Sequence, residues 1–465
     1  MPDRHDDVDA WLSQRIEPLP PPPGTFDLIK RRARRRKYRK LAITAGTAAV
    51  IVAAAVTVPE VVNLPVLNPN PTAAPVAGAG HSPSAQSATS GGRGQSSVSA
   101  SSARPARPPV PDNFRPASVT FVGVRTGWVI GQAGTPGHCA TQNCTSVART
   151  DDAGRSWTGV PAPLTGAADG ATGVSKIRFL NLKDGWAFGP ELFATHNGGN
   201  TWAQVDTGGM RVTALETVGN RVFAVWASCT GNGPAYAVSC TRFTLYSAPA
   251  AGGTWAPVGT ATSGLTDGAA SEATALVLTG SRGYLLAPDG ALYAGPVDGS
   301  GPWTQVSSLV SSCPVGSAQA DGQPTGALLG AVNASNLILA CVSASSGASP
   351  SVSTQHKVIY SSSNGGTSWQ GMGTAPTAGM AFWLAASPAG SVILATDQGL
   401  DLLPKGEASW RTPTMRGTVP AGGFGYVGMT TQDQGVALPA NPMAGTVWFT
   451  FDGGQTWTPS RVSSS

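Results

Sequence analysis

The chain has 465 residues, 12% charged and 41% hydrophobic, with 59 Gly and 38 Pro; it is too apolar for disorder throughout and too rich in turn formers for a helical bundle. Its net charge of +5 resides wholly in residues 1–40, which hold 11 Lys/Arg against 6 Asp/Glu, while the rest of the chain holds 19 of each. That distribution excludes a basic body built for nucleic acid.

In chain order, Pro18 and the run Pro20 to Pro23 read as a polyproline II spacer, ahead of a basic stretch from Lys30 to Lys40. The segment Leu41 to Val58 then carries no charge, and its 18 residues would span about 27 Å as a helix, the thickness of a bilayer core. A single-pass anchor over 41–62 is expected, with the basic residues 1–40 inside and everything after Val62 outside. A cleavable signal peptide has a short basic head, so the forty residues that precede this segment favour an uncleaved anchor. Residues 63–113 are Pro-, Ala- and Ser-rich without a single aromatic before Phe114, the composition of a disordered stalk.

Beyond Phe114 an eight-residue phrase recurs, Ser/Thr-x-Asp/Asn-x-Gly-x-Ser/Thr-Trp. Its four good copies contain Asp152, Gly154 and Trp157; Asn197, Gly199 and Trp202; Asn364, Gly366 and Trp369; and Asp452, Gly454 and Trp457. Worn copies end at Trp255, Trp303 and Trp410, so seven tryptophans recur with a mean spacing near 50 residues. Each period contains short β-branched or aromatic runs bounded by turn residues, such as Lys176 to Leu180, Gly185 to Gly189, Leu192 to Thr195 and Trp202 to Val205. The pattern predicts an all-β, seven-bladed propeller of four-stranded antiparallel blades over 114–462. In the phrase, Asp or Asn bonds backbone N–H groups of its own turn, Gly supplies positive φ, and the Trp packs on the edge of its sheet or towards the next blade. These residues are expected to be structural.

These phrases resemble those of the Asp-box, or BNR-repeat, propellers, a group that includes sialidases, photosystem II assembly/stability factors, sortilin-like receptors and some polysaccharide hydrolases. The paired phrases Arg125 to Gly131 and Lys183 to Gly189 are most similar to the non-catalytic assembly-factor branch, and the head of the chain resembles actinobacterial membrane-anchored proteins. The resemblance implies boxes on the periphery, away from any ligand site.

All six cysteines follow the apolar segment, which points to disulfides in an oxidising compartment. Neighbours pair most economically as Cys139 with Cys144, Cys229 with Cys240 and Cys313 with Cys341, and their spacings match no zinc site despite His138 beside Cys139. All six map to the face opposite the boxes, which also carries the long insertions 132–145, 227–242, 307–325 and 342–357. Long loops closed by disulfides make a preorganised binding surface, with His138, Gln142, Asn143, Asn232, Tyr236 and Asp321 as its polar and aromatic contacts.

A sialidase-like site would need converging arginines, a Tyr or carboxylate nucleophile and an acid/base carboxyl. Asn113-Phe114-Arg115-Pro116 resembles the start of such enzymes but lacks the Ile after Arg. Glu191 and Glu407 are expected beside box hairpins, on the wrong face. The expectation is therefore a monomeric, cell-membrane-anchored extracytoplasmic propeller that binds a protein, peptide or glycan without cofactor, metal or catalytic set. A sialidase-like hydrolase and a transmembrane sensor with a cytoplasmic partner are the alternatives.

Overall fold

The computed structural model describes residues 108–133, 145–165, 173–230, 239–258, 275–287, 290–308, 313, 326–344 and 354–463. The expected cytoplasmic head, membrane anchor and most of the stalk lie outside them, and among the described residues no helix is long and apolar enough to cross a membrane. The stalk expectation extended too far: Val110 is 4% exposed and packs with Val119, Val436 and Val447, while the Pro108 carbonyl accepts from the Gly159 amide.

The strands form seven antiparallel meanders. Blade 1 is β1 (Arg115–Phe121), β2 (Gly127–Gln132), β3 (Thr145–Thr150) and β4 (Thr158–Val160). Blade 2 is β5 (Val174–Phe179), β6 (Gly185–Pro190), β7 (Leu192–Thr195) and β8 (Ala203–Gln204). Blade 3 comprises β9 (Arg211–Val218), β10 (Arg221–Thr230), β11 (Ser239–Pro249) and β12 (Ala256–Pro257). Blade 4 comprises β13 (Ala275–Leu278), β14 (Arg282–Leu286), β15 (Ala291–Pro296) and β16 (Thr304–Ser308). In blade 5 the strands are β17 (Gly326–Ala331), β18 (Leu337–Ala344), β19 (Gln355–Ser362) and β20 (Gln370–Thr374). Blade 6 contributes β21 (Ala381–Ala386), β22 (Val392–Thr396) and β23 (Gly399–Leu403), and after β24 (Thr414–Met415) blade 7 has β25 (Phe424–Met429), β26 (Gly435–Pro439), β27 (Thr446–Thr450) and β28 (Thr456–Arg461).

The first strands of successive blades touch one another and line the axis. Blade 6 departs from the pattern, because its fourth strand shrinks to one bridge between Leu402 and Arg411. Pro413 has no N–H to extend that ladder, and the chain instead lays β24 parallel to β28, giving blade 7 a fifth strand.

Blades 1 and 7 are each built from one end of the chain, so side chains close the ring. Trp157 Nε1 donates to Ser460 Oγ at 3.2 Å, and that hydroxyl donates to the Gly154 carbonyl. Phe121 meets Phe449 edge-on at 5.7 Å, and Gln434 Nε2 donates to the Val124 carbonyl at 2.8 Å. Trp157 and Trp202, whose Nε1 reaches the Pro161 carbonyl at 3.0 Å, pack back onto the preceding blade, not the next one.

The four good phrases share one turn geometry. In the first, Asp152 Oδ1 accepts from the Ser156 amide at 2.9 Å and from Thr150 Oγ1 at 2.8 Å, and Thr150 Oγ1 accepts from the Gly154 amide at 2.9 Å. Gly154 has φ +81°, the left-handed conformation that favours glycine. Asn197, Asn364 and Asp452 repeat these contacts. Each turn is also pinned to the first hairpin of its blade: the amides of Ala153, Gly198, Gly365 and Gly453 donate to the carbonyls of Arg125, Lys183, Ser335 and Asp433 at 2.8–2.9 Å. One end of the ring, the turn face, is thus a belt of coupled hairpins. The opposite end, the loop face, carries the connections between second and third strands and between blades.

Candidate functional site

Two concave sites among the described residues differ in size. The first lies at the axis. Arg178 on β5 and Glu216 on β9 form a buried ion pair, Nε to Oε1 3.2 Å, with side chains 5% and 1% exposed. Arg178 Nη1 also donates to Ser118 Oγ at 3.2 Å and to the Ile177 carbonyl. Burial pushes the Glu216 carboxyl up to about 8 although Arg178 opposes it, and burial pushes the Tyr426 hydroxyl up to about 12. The adjoining cavity, lined by Thr120, Arg178, Glu216, Thr217 and Tyr426, measures about 50 Å³. That is room for a water or two, so this cluster serves the core.

The second site is a groove of about 530 Å³ on the loop face between blades 2 and 3, within the range of ligand sites. The turn between β6 and β7 supplies Pro190, Glu191 and Leu192, the end of β8 supplies Gln204 and Val205, and the connection into β9 with its first residue supplies Asp206, Thr207, Gly209, Met210 and Arg211. Cys229 forms the far wall.

Glu191 organises this groove. Its Oε2 accepts from Thr165 Oγ1 at 2.5 Å and from the Gly173 amide at 2.6 Å, and its Oε1 accepts from Gln204 Nε2 at 3.0 Å. One carboxylate therefore ties the connection between blades 1 and 2 to two strands of blade 2. The expectation that Glu191 lies on the box face is corrected: it sits between the second and third strands, on the loop face, because the box follows the third strand. Glu407 does lie on the turn side, paired with Arg411. Asp206 Oδ1 accepts from the Gly208 amide at 2.8 Å, shaping the connection into blade 3.

Cys229 and Cys240 are bonded across the β10–β11 ladder, and Cys313 is bonded to Cys341. The first of these corrects the expected loop 227–242, since β10 and β11 run past both cysteines and leave only 231–238 between them. The second fastens the connection into blade 5 onto the interior of β18. Cys139 and Cys144 lie outside the described residues, as do His138, Gln142, Asn143, Asn232, Tyr236 and Asp321. The connection carrying Asn232 and Tyr236 springs from the strands whose disulfide walls the groove. Sequence reasoning missed Glu191, Gln204 and Asp206, although the short Gly189-Pro190-Glu191 turn marked their place.

Two buried cations complete the inventory. Lys357 on β19 is fully buried and donates to the carbonyls of Pro376 and Ala378 at 2.6 and 3.0 Å; burial pushes its amine down to about 8, against the pull of Asp401 and Asp397. It clamps the connection from blade 5 to blade 6. Arg115 opens β1 at the loop end of the axis, 8% exposed, with no hydrogen-bond partner for Nε.

Neither a protein-family model nor a curated protein sequence matches the chain. Solved structures similar to it include YCF48 from Cyanidioschyzon merolae, at 15% identity and TM-score 0.42 over 66% of this chain and 90% of that one. An ancestral GH74 enzyme is similar at 12% identity and TM-score 0.49 over 77% of this chain, which spans about half of that enzyme (47%). The extracellular domain of a putative one component system from B. thetaiotaomicron is similar at 9% identity and TM-score 0.45, over 70% of this chain and 38% of that one. At such identities and scores the likeness says nothing about activity.

Proposed function

We propose that the protein is a membrane-anchored extracytoplasmic propeller of the Asp-box type that binds a protein, peptide or glycan on its loop face without turnover. The observation that carries this reading is the groove between blades 2 and 3. It has a ligand-sized volume of about 530 Å³, a floor held by the three hydrogen bonds of Glu191 and a wall held by the Cys229–Cys240 disulfide. Preorganisation of this kind lowers the ordering cost of recognition. A photo-crosslinking residue placed at Asp206 in the full chain, expressed in its host, should trap a ligand that the same residue at Arg155 on the turn face does not. Equal trapping at both positions, or none at Asp206, would count against it.

The sialidase-like alternative has one observation in its favour, the buried Arg115 with its unpartnered Nε at the loop end of the axis. The Glu216 carboxyl does not join it, being held by Arg178 towards the other end of the innermost strands. Release of sialic acid from a fluorogenic sialoside, abolished in Arg115→Ala, would establish that alternative.

A further inference from the structure

On the turn face, large apolar side chains are exposed at three hairpin tips in consecutive blades: Phe451 of blade 7 (54% exposed), Val124 of blade 1 (52%) and Leu182 of blade 2 (54%). The tips are rigidly mounted. The box turns of the three blades donate to the first hairpins through Gly453, Ala153 and Gly198. The blades are linked in turn by Gln434 Nε2 on the Val124 carbonyl and Trp128 Nε1 on the Gly198 carbonyl. Phe451 stacks on Phe449, which meets Phe121 of blade 1.

Next to two of these tips stand exposed cations, Arg125 and Lys183. The carboxylates nearby are held in place but not neutralised by their partners: Asp151 pairs with Arg149 at 2.7 Å, Asp184 lies 2.8 Å from His196, and Asp152 and Asp452 accept hydrogen bonds within their turns. Asp433 is exposed on blade 7, and the exposed cations Arg125 and Lys183 stand on blades 1 and 2.

The chain outside the described body enters along the outer edge of blade 1, beside β4. Residues 1–107 precede Pro108, whose carbonyl is bonded to β4 of blade 1, and Val110 is buried between blades 7 and 1. A coil of the length of 63–107 has an end-to-end distance of about 40 Å, and such a tether holds the body at an effective concentration of order mM near its anchor. At that concentration a few apolar side chains suffice for docking, with neighbouring cations at headgroup level.

We infer that the turn-face arc Phe451–Val124–Leu182 rests on the lipid surface in which the chain is anchored, which turns the loop face and its groove outward. The inference rests on the anchored reading of residues 41–62 but not on the identity of the ligand.

The test uses the full chain reconstituted into phosphatidylcholine/phosphatidylglycerol vesicles, with a fluorescent amino acid at Leu182 or, as a control, at Met443, which is 66% exposed on the loop face. Flotation reports anchoring, spin-labelled lipid reports contact, and iodide reports water access. The Leu182 probe should be quenched by lipid and shielded from iodide, the Met443 probe the reverse. Val124→Asp with Phe451→Asp should abolish lipid quenching at Leu182 while flotation and Tm are kept. A chain that floats with both probes equally open to iodide overturns the docking alone, as does shielding from iodide without lipid quenching, the signature of a protein partner or second copy. A chain that fails to float overturns the anchored reading and the docking together.

Discussion

Arg178 Nε lies 3.2 Å from Glu216 Oε1 where the innermost strands of blades 2 and 3 meet, and both side chains are out of water. The two partners are not equivalent: Glu216 can take a proton, whereas a guanidinium stays charged. Above pH 8, where the carboxyl is ionised, Glu216→Leu should therefore cost about 3–5 kcal/mol, the full penalty of an uncompensated buried charge. Arg178→Met should cost less, because the carboxyl neutralises. Since Glu216 is pushed up from an ordinary 4.5 to about 8, the folded protein holds a proton that the unfolded chain has lost between those values. Stability should fall as pH rises through that window, and Glu216→Gln should flatten the decline in denaturant titrations at pH 5 and 8.

The disulfides close loops of different length, 28 residues for Cys313–Cys341 and 11 for Cys229–Cys240. Loop-closure entropy gives about 3.6 and about 2.8 kcal/mol respectively. Paired Ser substitutions should lower thermal stability in that order. Removing Cys229–Cys240 should in addition weaken whatever the groove binds, a loss that the Cys313/Cys341 pair does not share.

Asp152 accepts two backbone or hydroxyl hydrogen bonds through Oδ1 and another from Ser156 through Oδ2. Asp152→Ala should cost about 1–2 kcal/mol. Asp152→Asn should be milder, since Asn197 and Asn364 already fill the same role in blades 2 and 5. Burial raises the Asp152 carboxyl, but hydrogen bonds from Ser156 and Thr150 outweigh it and leave it below its ordinary value. Its contribution is complete above the ordinary carboxylate range and is lost as pH falls through the depressed folded value, so stability should fall more steeply on acidification in the wild type than in Asp152→Asn with Asp452→Asn, measured by denaturant titration at a series of acid pH values.

Gly154 lies on the seam that closes the ring. A Cβ there would come within 2.3 Å of Phe449 and would have to tolerate φ +81°. Gly154→Ala should cost about 1–3 kcal/mol from the strained backbone alone. Phe449→Leu in the same chain should relieve part of the loss, measured as the shift in unfolding midpoint of the double variant against the two single variants.

The blade count, the box turns and the nearest-neighbour disulfides at Cys229–Cys240 and Cys313–Cys341 were legible in the sequence because each is local. A β-turn is specified by a few contiguous residues, Cys229–Cys240 by the hairpin its spacing implies, and Cys313–Cys341 as the pairing of sequence neighbours. The groove was not legible, and neither was the Arg178–Glu216 pair. Thr165, Gly173, Glu191 and Gln204 meet only because a turn, an outer strand and the preceding connection converge, and Glu216 reaches Arg178 only because two innermost strands are adjacent around the axis. The departure of blade 6 was half-written: Pro413 forbade the ladder, but nothing in the sequence said that β24 would pair with blade 7.

The sequence by itself determined that the chain has a basic stretch, an apolar stretch, a Pro-rich stretch and a neutral repeat of seven strand-and-turn units, since composition, period and charge are properties of the chain read in order. Only the tertiary structure decided which residues share a face. It put Glu191 on the loop side with the disulfides and brought Phe451, Val124 and Leu182 onto one arc, because closing the ring sets residues more than 300 positions apart side by side, as Trp157 and Ser460 are.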